Sequence, residues 1–219
     1  MNLLMFFLLF NVYTNHDFNN HDVAAKELNM NKNNYAVAEN IEQSEIEYKQ
    51  PLSDDLLCFA ATAKTEEDFG IEKHLLSTIA SVESGKWDYK RKQYTAWPWT
   101  VNAQGKGYYL HSREEAVAKV KELQAEGVES IDVGCMQINL KYHSNAFASI
   151  EDAFDPQKNV EYSAKFLRKL YSTRGEDWDR AVMAYHSKDP TRGESYKVRI
   201  NSRYEQIKIA FNAKENELF

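Results

Sequence analysis

Two cysteines are all that the 219 residues contain. Two thiols cannot form a four-ligand zinc cage on their own. Cys58 and Cys135 either form one disulfide in an exported chain or stay as two buried thiols in a cytosolic one. Glycine is absent from the start of the chain, the first being Gly70. A bilayer-spanning run is absent there too. Leu3 to Phe10 is unbroken apolar sequence, but a spanning helix needs about 20 such residues. Its length suits the apolar core of a signal peptide. No Lys or Arg precedes it, the first basic side chain is Lys26, and no small-x-small cleavage site follows. The expectation is an atypical export signal and a periplasmic or secreted protein. An excess of positive charge is lacking as well. The net charge of −6 sits in residues 1–55, which hold nine acids and three bases, while residues 56–219 hold 24 of each. A balanced folded part excludes the basic footprint of a nucleic-acid binder.

What is present builds one domain with a leader. Ten Asn fall in the first 40 residues, with little apolar periodicity, so residues 1–50 read as a signal peptide and disordered leader. Residues 51–212 read as the folded domain. Ser53 and Asp54 supply N-cap chemistry for a helix through about Asp68, closed by Gly70. A second helix from about Ile71 to Glu83 or Ser84 carries the stripe Leu75, Leu76, Ile79 and Val82, and Gly85 stops it. Residues 86–110 are loop and short-strand material, with a hairpin turn in Asn102–Gly107. Ser112 and Glu115 form a capping box that opens a helix ending at Gly127. Further helices are expected near 137–143, 156–173, 177–187 and 194–212, two of them started by Asp155-Pro156 and Asp177. The fold class is α+β, mostly α, with one small β region.

Glu83 lies four residues after Ile79 and seven after Leu76, which puts it on the apolar face of its helix. Desolvation there favours the neutral acid, and the helix C-terminus repels negative charge in the same direction. A carboxyl held protonated near neutral pH suits a general acid. The alternative is a side chain that swings to solvent or pairs with Lys86.

The segment Ile79-Ala-Ser-Val-Glu-Ser-Gly85 resembles the first motif of soluble-lytic-transglycosylase-type (SLT) domains, in the lysozyme-like superfamily. Gly134-Cys-Met-Gln-Ile-Asn139 resembles the second, Asn159-Val160 the third, and Ala184-Tyr-His186 the fourth. The resemblance spans about residues 56–205. Glu83 and Gln137 are 54 apart, and this long insert is similar to an alphaproteobacterial-type branch. Ala-Tyr-His replaces the usual Ala-Tyr-Asn, and the usual Asn-Pro after the catalytic helix is missing. The resemblance implies a lysozyme-like fold and cleavage of peptidoglycan glycan strands with Glu83 as acid and then base. It implies a 1,6-anhydro product and no metal or cofactor. The expected partner is the glycan strand, with no nucleic acid and a monomeric state. General wall turnover, service to an envelope-spanning secretion or flagellar apparatus, and invasion all stay open.

Supporting residues follow from the motifs, each with a plainer alternative. Gln137 donates to a sugar acetamido group, or caps a short helix. Met136 is core or cleft wall. The Tyr185 hydroxyl orients Glu83 or a sugar, or its ring is plain core. Ser84 positions the sugar or Glu83, or ends a helix. Trp97 is a sugar platform, or packs the insert together with Trp99. His111, His143 and His186 are too scattered for a metal site. The run Lys90-Arg-Lys92 is a solvated loop, or meets wall-peptide carboxylates. A hydrolytic muramidase would need a second carboxylate. Asp88 and Asp132 are the only acids near the motifs, and spacing favours neither. A non-catalytic wall-binding module is the third reading.

Overall fold

The computed structural model describes residues 52–216, with side chains through Ile209. The expected leader and its export signal lie outside the described residues. Seven helices and six strands follow in order among those residues: α1 Asp54–Asp68, α2 Leu75–Glu83, β1 Gly85–Asp88, β2 Gln93–Ala96, β3 Thr100–Ala103, β4 Lys106–Tyr109, α3 Arg113–Ala125, β5 Ile131–Val133, β6 Ile138–Asn139, α4 Ile150–Ala153, α5 Pro156–Thr173, α6 Trp178–His186 and α7 Pro190–Asn216. This is the mostly helical α+β class expected.

Local chemistry accounts for most helix ends. Ser112, Asp155 and Asp177 each accept a backbone N–H from three residues on, which satisfies an orphan donor of the first turn. Glu115 reaches back to the N–H of His111, one residue earlier than in the reciprocal capping box. Ser53 sits at the N-cap of α1 but makes no cap bond. Asp54 accepts the indole N–H of Trp99 instead, tying α1 to the β region.

Three helix assignments change. The α2 helix starts at Leu75 rather than Ile71, because His74 adopts a left-handed φ of 71°. Its start is capped from elsewhere: the Glu66 carboxylate on α1 accepts N–H bonds from His74 (2.8 Å) and Ser77 (2.9 Å). A buried anion at a helix N-terminus is well placed against the dipole. No helix forms at 137–143. Gln137 takes φ 48° and Ile138–Asn139 pairs antiparallel with β5, so strand pairing replaces helical bonding. The α7 helix begins at Pro190 rather than 194, with proline at a first-turn position that needs no N–H donor. The short α4, capped by Ser149, was not anticipated.

Two cores result. The helical core gathers Cys58, Leu76, Ile79, Met136, Val160, Leu167, Ala181, Tyr196 and Ile200. In the second core, Val101, Ala103, Ile131 and Val133 share packing with Ala116, Val120 and Leu123 of α3. The four-stranded sheet has order β4-β3-β5-β6. Side chains alternate along a strand, so the residues between those apolar ones point the other way. Asn102 pairs with Asp132, and Asp132 with Asn139. This makes a half-buried polar row across three strands. The segment Gly134–Gln137 crosses from one core to the other.

Candidate active site

Glu83 is the last residue of α2 and is half-buried. The α2 helix is buried almost all round from Leu75 to Ser81, so its C-terminus is held inside the domain. The chain must leave at once to form β1. Gly85 allows this, since a Cβ there would sit 2.2 Å from the carbonyl oxygen of Ser81. The Glu-Ser-Gly sequence is thus a helix stop that leaves the Glu side chain fixed.

The Tyr196 hydroxyl on α7 donates to Oε1 of Glu83 at 2.5 Å. Burial pushes the Glu83 pKa up to about 7, against the pull of the Tyr196 hydrogen bond. The negative charge of Asp132 adds to the rise and Arg199 opposes it. Burial, with the charge of Glu83 adding to it, raises the Tyr196 phenol well above its ordinary value, so it stays a donor. His186 lies flat on the Tyr196 ring, with centroids 4.4 Å apart and planes 2° apart. The histidine that replaces the usual asparagine therefore backs the tyrosine that holds Glu83.

The turn after β5 is built around Asn159 of α5. Its Oδ1 accepts from Met136 N (2.9 Å), and its Nδ2 donates to Val133 O and Ala153 O (both 3.0 Å). Gly134 has φ 79°, and a Cβ there would lie 2.5 Å from Asn159 Nδ2. Only glycine permits both the left-handed turn and the close approach. Asn159 is fully buried, so Asn159→Ala removes three hydrogen bonds and leaves the Met136 N–H and the Ala153 carbonyl without the partner Asn159 gave them. A loss of about 3 kcal/mol is expected at roughly 1–3 kcal/mol per orphaned group. Urea unfolding checks this, and a midpoint within error of wild type contradicts the role.

Burial and bonding place the other residues that the sequence singles out. Ser84 and Met136 have no exposed surface, so both side chains are packed inside the domain. The Ser84 hydroxyl donates to Cys135 O (2.8 Å) and ties the end of α2 to the turn. Tyr185 donates to Met136 O (2.9 Å) and pairs with Ser163, not with Glu83. The Gln137 amide nitrogen donates to Gly134 O (3.0 Å) and Thr100 O (3.2 Å). Its carbonyl oxygen, not its N–H, is what remains for a ligand. Trp97 donates to Leu110 O, and the Lys86 ammonium sits 4.3 Å over its ring, so one ring face is taken. Trp99 is buried packing. Arg91 is committed to Asp55 and Asp88, which neutralises much of the Lys90–Lys92 loop. Cys58 and Cys135 are joined as a disulfide, with Cα atoms 5.6 Å apart.

Asp132 is near enough for its charge to act on Glu83, Tyr185 and His143. Spacing along the chain left it out, and the sheet register brings it in. Asn139 holds its carboxylate at 2.8 Å. Tyr196 was missed altogether. Its spacing to Ile200 marks a buried helix face, but nothing local reveals a partner 113 residues away. No group of three or more potential metal ligands occurs among the described residues.

The Transglycosylase SLT domain family model matches residues 60–197, which include every side chain of this constellation save Arg199. The chain belongs to the SLT transglycosylase family. No curated protein and no solved structure matches it. Family membership makes peptidoglycan the substrate and the working location extracytoplasmic. No helix among the described residues is long and apolar enough to cross a membrane. In this SLT domain the four motif segments meet around one carboxyl: Glu83-Ser84 on α2, the Gly134–Gln137 turn, Asn159 on α5, and Tyr185-His186 on α6.

Proposed function

We propose that this SLT domain is a lytic transglycosylase that cuts the MurNAc-GlcNAc β-1,4 bond and leaves a 1,6-anhydro-MurNAc end. The observation that carries the reading is the Glu83 carboxyl, buried at a helix end, pushed up to about 7 and held by the Tyr196 hydroxyl. A carboxyl with that pKa can give a proton and take one back near neutral pH. Protonated Glu83 donates to the glycosidic oxygen as the C–O bond breaks. The 2-acetamido oxygen closes on the anomeric carbon. Glu83, now a carboxylate, takes the proton of the sugar's own 6-hydroxyl as that oxygen displaces the acetamido oxygen. Protons balance and no water is consumed. The Asn102 amide and the carboxylate oxygen of Asp132 not held by Asn139 offer a donor and acceptors to sugar hydroxyls. The Gln137 carbonyl is free to accept an acetamido N–H.

One observation favours a second reading. Asp132 is a carboxylate electrostatically coupled to Glu83, and a muramidase would use such a group to activate water or hold a glycosyl intermediate. Digestion of purified wall followed by mass spectrometry separates the two. Anhydro-muropeptides are expected. Reducing muropeptides would transfer the reaction to hydrolysis, and no products at all would point to a binding module.

The pH profile tests the role of Tyr196. kcat/KM is expected to fall on the alkaline side with a midpoint near pH 7, as Glu83 loses the proton it must donate. The Tyr196 hydrogen bond favours the charged carboxylate, so removing it raises the Glu83 pKa. In Tyr196→Phe the alkaline limb should therefore move to higher pH while kcat falls. A limb that stays put or moves down contradicts this geometry.

A further inference from the structure

Beside Glu83, a groove of roughly 480 Å³ runs between the end of α2, β2 and α7. Val82 and Gly85 line it at the catalytic helix end, and Arg199, Ser202, Arg203 and Gln206 line it along α7. Both arginines lack a carboxylate partner among the described residues. Arg199 lies 5.4 Å over the ring of Tyr196 and Arg203 lies 5.2 Å over the ring of Tyr94. Arg91 and Arg180, by contrast, reach acids. Neither Ser202 nor Gln206 has a side-chain hydrogen-bond partner among the described residues, so a hydroxyl and a carboxamide also line the groove. Each guanidinium lies within cation–π range of a ring, a contact that uses no N–H donor and leaves those donors for an anion.

We infer that this groove binds the free carboxylates of the peptide stem attached to the muramic acid being cleaved. The inference rests on the glycan-cleaving reading above and deepens it by naming the second part of the substrate. Position supports it. The groove is lined by Val82 and Gly85, which flank the Glu83-Ser84 pair at the end of α2, and by the α7 arginines on its other side. Charge supports it as well. The wall strand is neutral along its sugars, and its carboxylates lie in the stems. Two arginines and two neutral donors match a planar anionic group better than a sugar hydroxyl, which would not need full positive charge.

The test uses a soluble disaccharide-peptide, GlcNAc-MurNAc with its stem, which contains no bond the enzyme would cut. Calorimetry with the full chain compares three ligands: the stem with free carboxyls, the same stem with all carboxyls converted to amides, and the disaccharide without a stem. The free-carboxyl form is expected to bind about tenfold more tightly than the other two, the scale of one charge-assisted contact. Arg203→Gln should weaken that form to the level of the amide form and leave the amide form unchanged. Equal affinity for free and amidated stems overturns the inference. So does an Arg203→Gln loss of the same size on both ligands. Failure of the glycan-cleaving reading looks different, because it appears as a wall digest without products while the carboxylate preference is intact.

Discussion

Glu83→Gln is expected to lower glycan cleavage by at least about a thousandfold while making the protein more stable at pH 8, an activity loss in the range of removing a general acid–base group. The amide keeps the volume and still accepts the Tyr196 hydroxyl at its carbonyl oxygen. It cannot give and retake a proton. The stability gain follows from the raised pKa. An ordinary glutamate in the unfolded chain ionises near 4.5, whereas Glu83 in the fold does so near 7. Between those values the folded state holds a proton that the unfolded state has lost, so stability falls as pH rises, and the loss is complete above about 7. The full shift corresponds to about 3 kcal/mol as an upper bound, less for the surface that stays wet. Glu83→Gln removes this penalty. Turbidity loss of purified wall measures the first effect and urea unfolding at pH 5 and pH 8 the second. Cleavage within tenfold of wild type would sink the catalytic assignment. Equal stability differences at the two pH values would contradict the buried, protonated carboxyl.

Reduction of the Cys58–Cys135 bond is expected to cost stability on the scale of about 4 kcal/mol, from chain entropy alone for a closed loop of this length. The two positions are 77 apart in sequence. Activity should fall as well. The bond joins α1 to the turn whose Cys135 carbonyl accepts the Ser84 hydroxyl, one residue from Glu83. Loosening α1 also loosens Glu66, which caps the start of α2. Both ends of α2 therefore depend on the same cross-link. Cys58→Ser with Cys135→Ser, compared with wild type under oxidising and reducing conditions, checks both effects. Two free thiols in exported protein under denaturing, non-reducing conditions would remove the basis for either.

The sequence by itself determined the elements whose signals are local. Hydrogen bonds and side-chain contacts three or four residues apart write themselves into the order of residues. Ser112 with Glu115, Asp155-Pro156 and Asp177 each mark a helix start to within a residue. The stripe Leu76, Ile79 and Glu83 sets a carboxyl on a buried face. The Asn102–Gly107 turn carries its own left-handed positions, Gln104 and Gly105. Tertiary structure alone decided the partners that span the chain. Glu66 caps a helix eight to eleven residues later. Asn159 pegs a turn 23 residues before it, and Tyr196 reaches Glu83 across 113. Asp132 enters the site only through the register of β3, β5 and β6. The stretch 137–143 reads as a helix until strand pairing claims it. Polarity and periodicity report whether a residue is buried, but a hydroxyl or carboxylate leaves no trace in its neighbours of which distant donor or acceptor it will meet, because that meeting is set by how separate helices and strands pack.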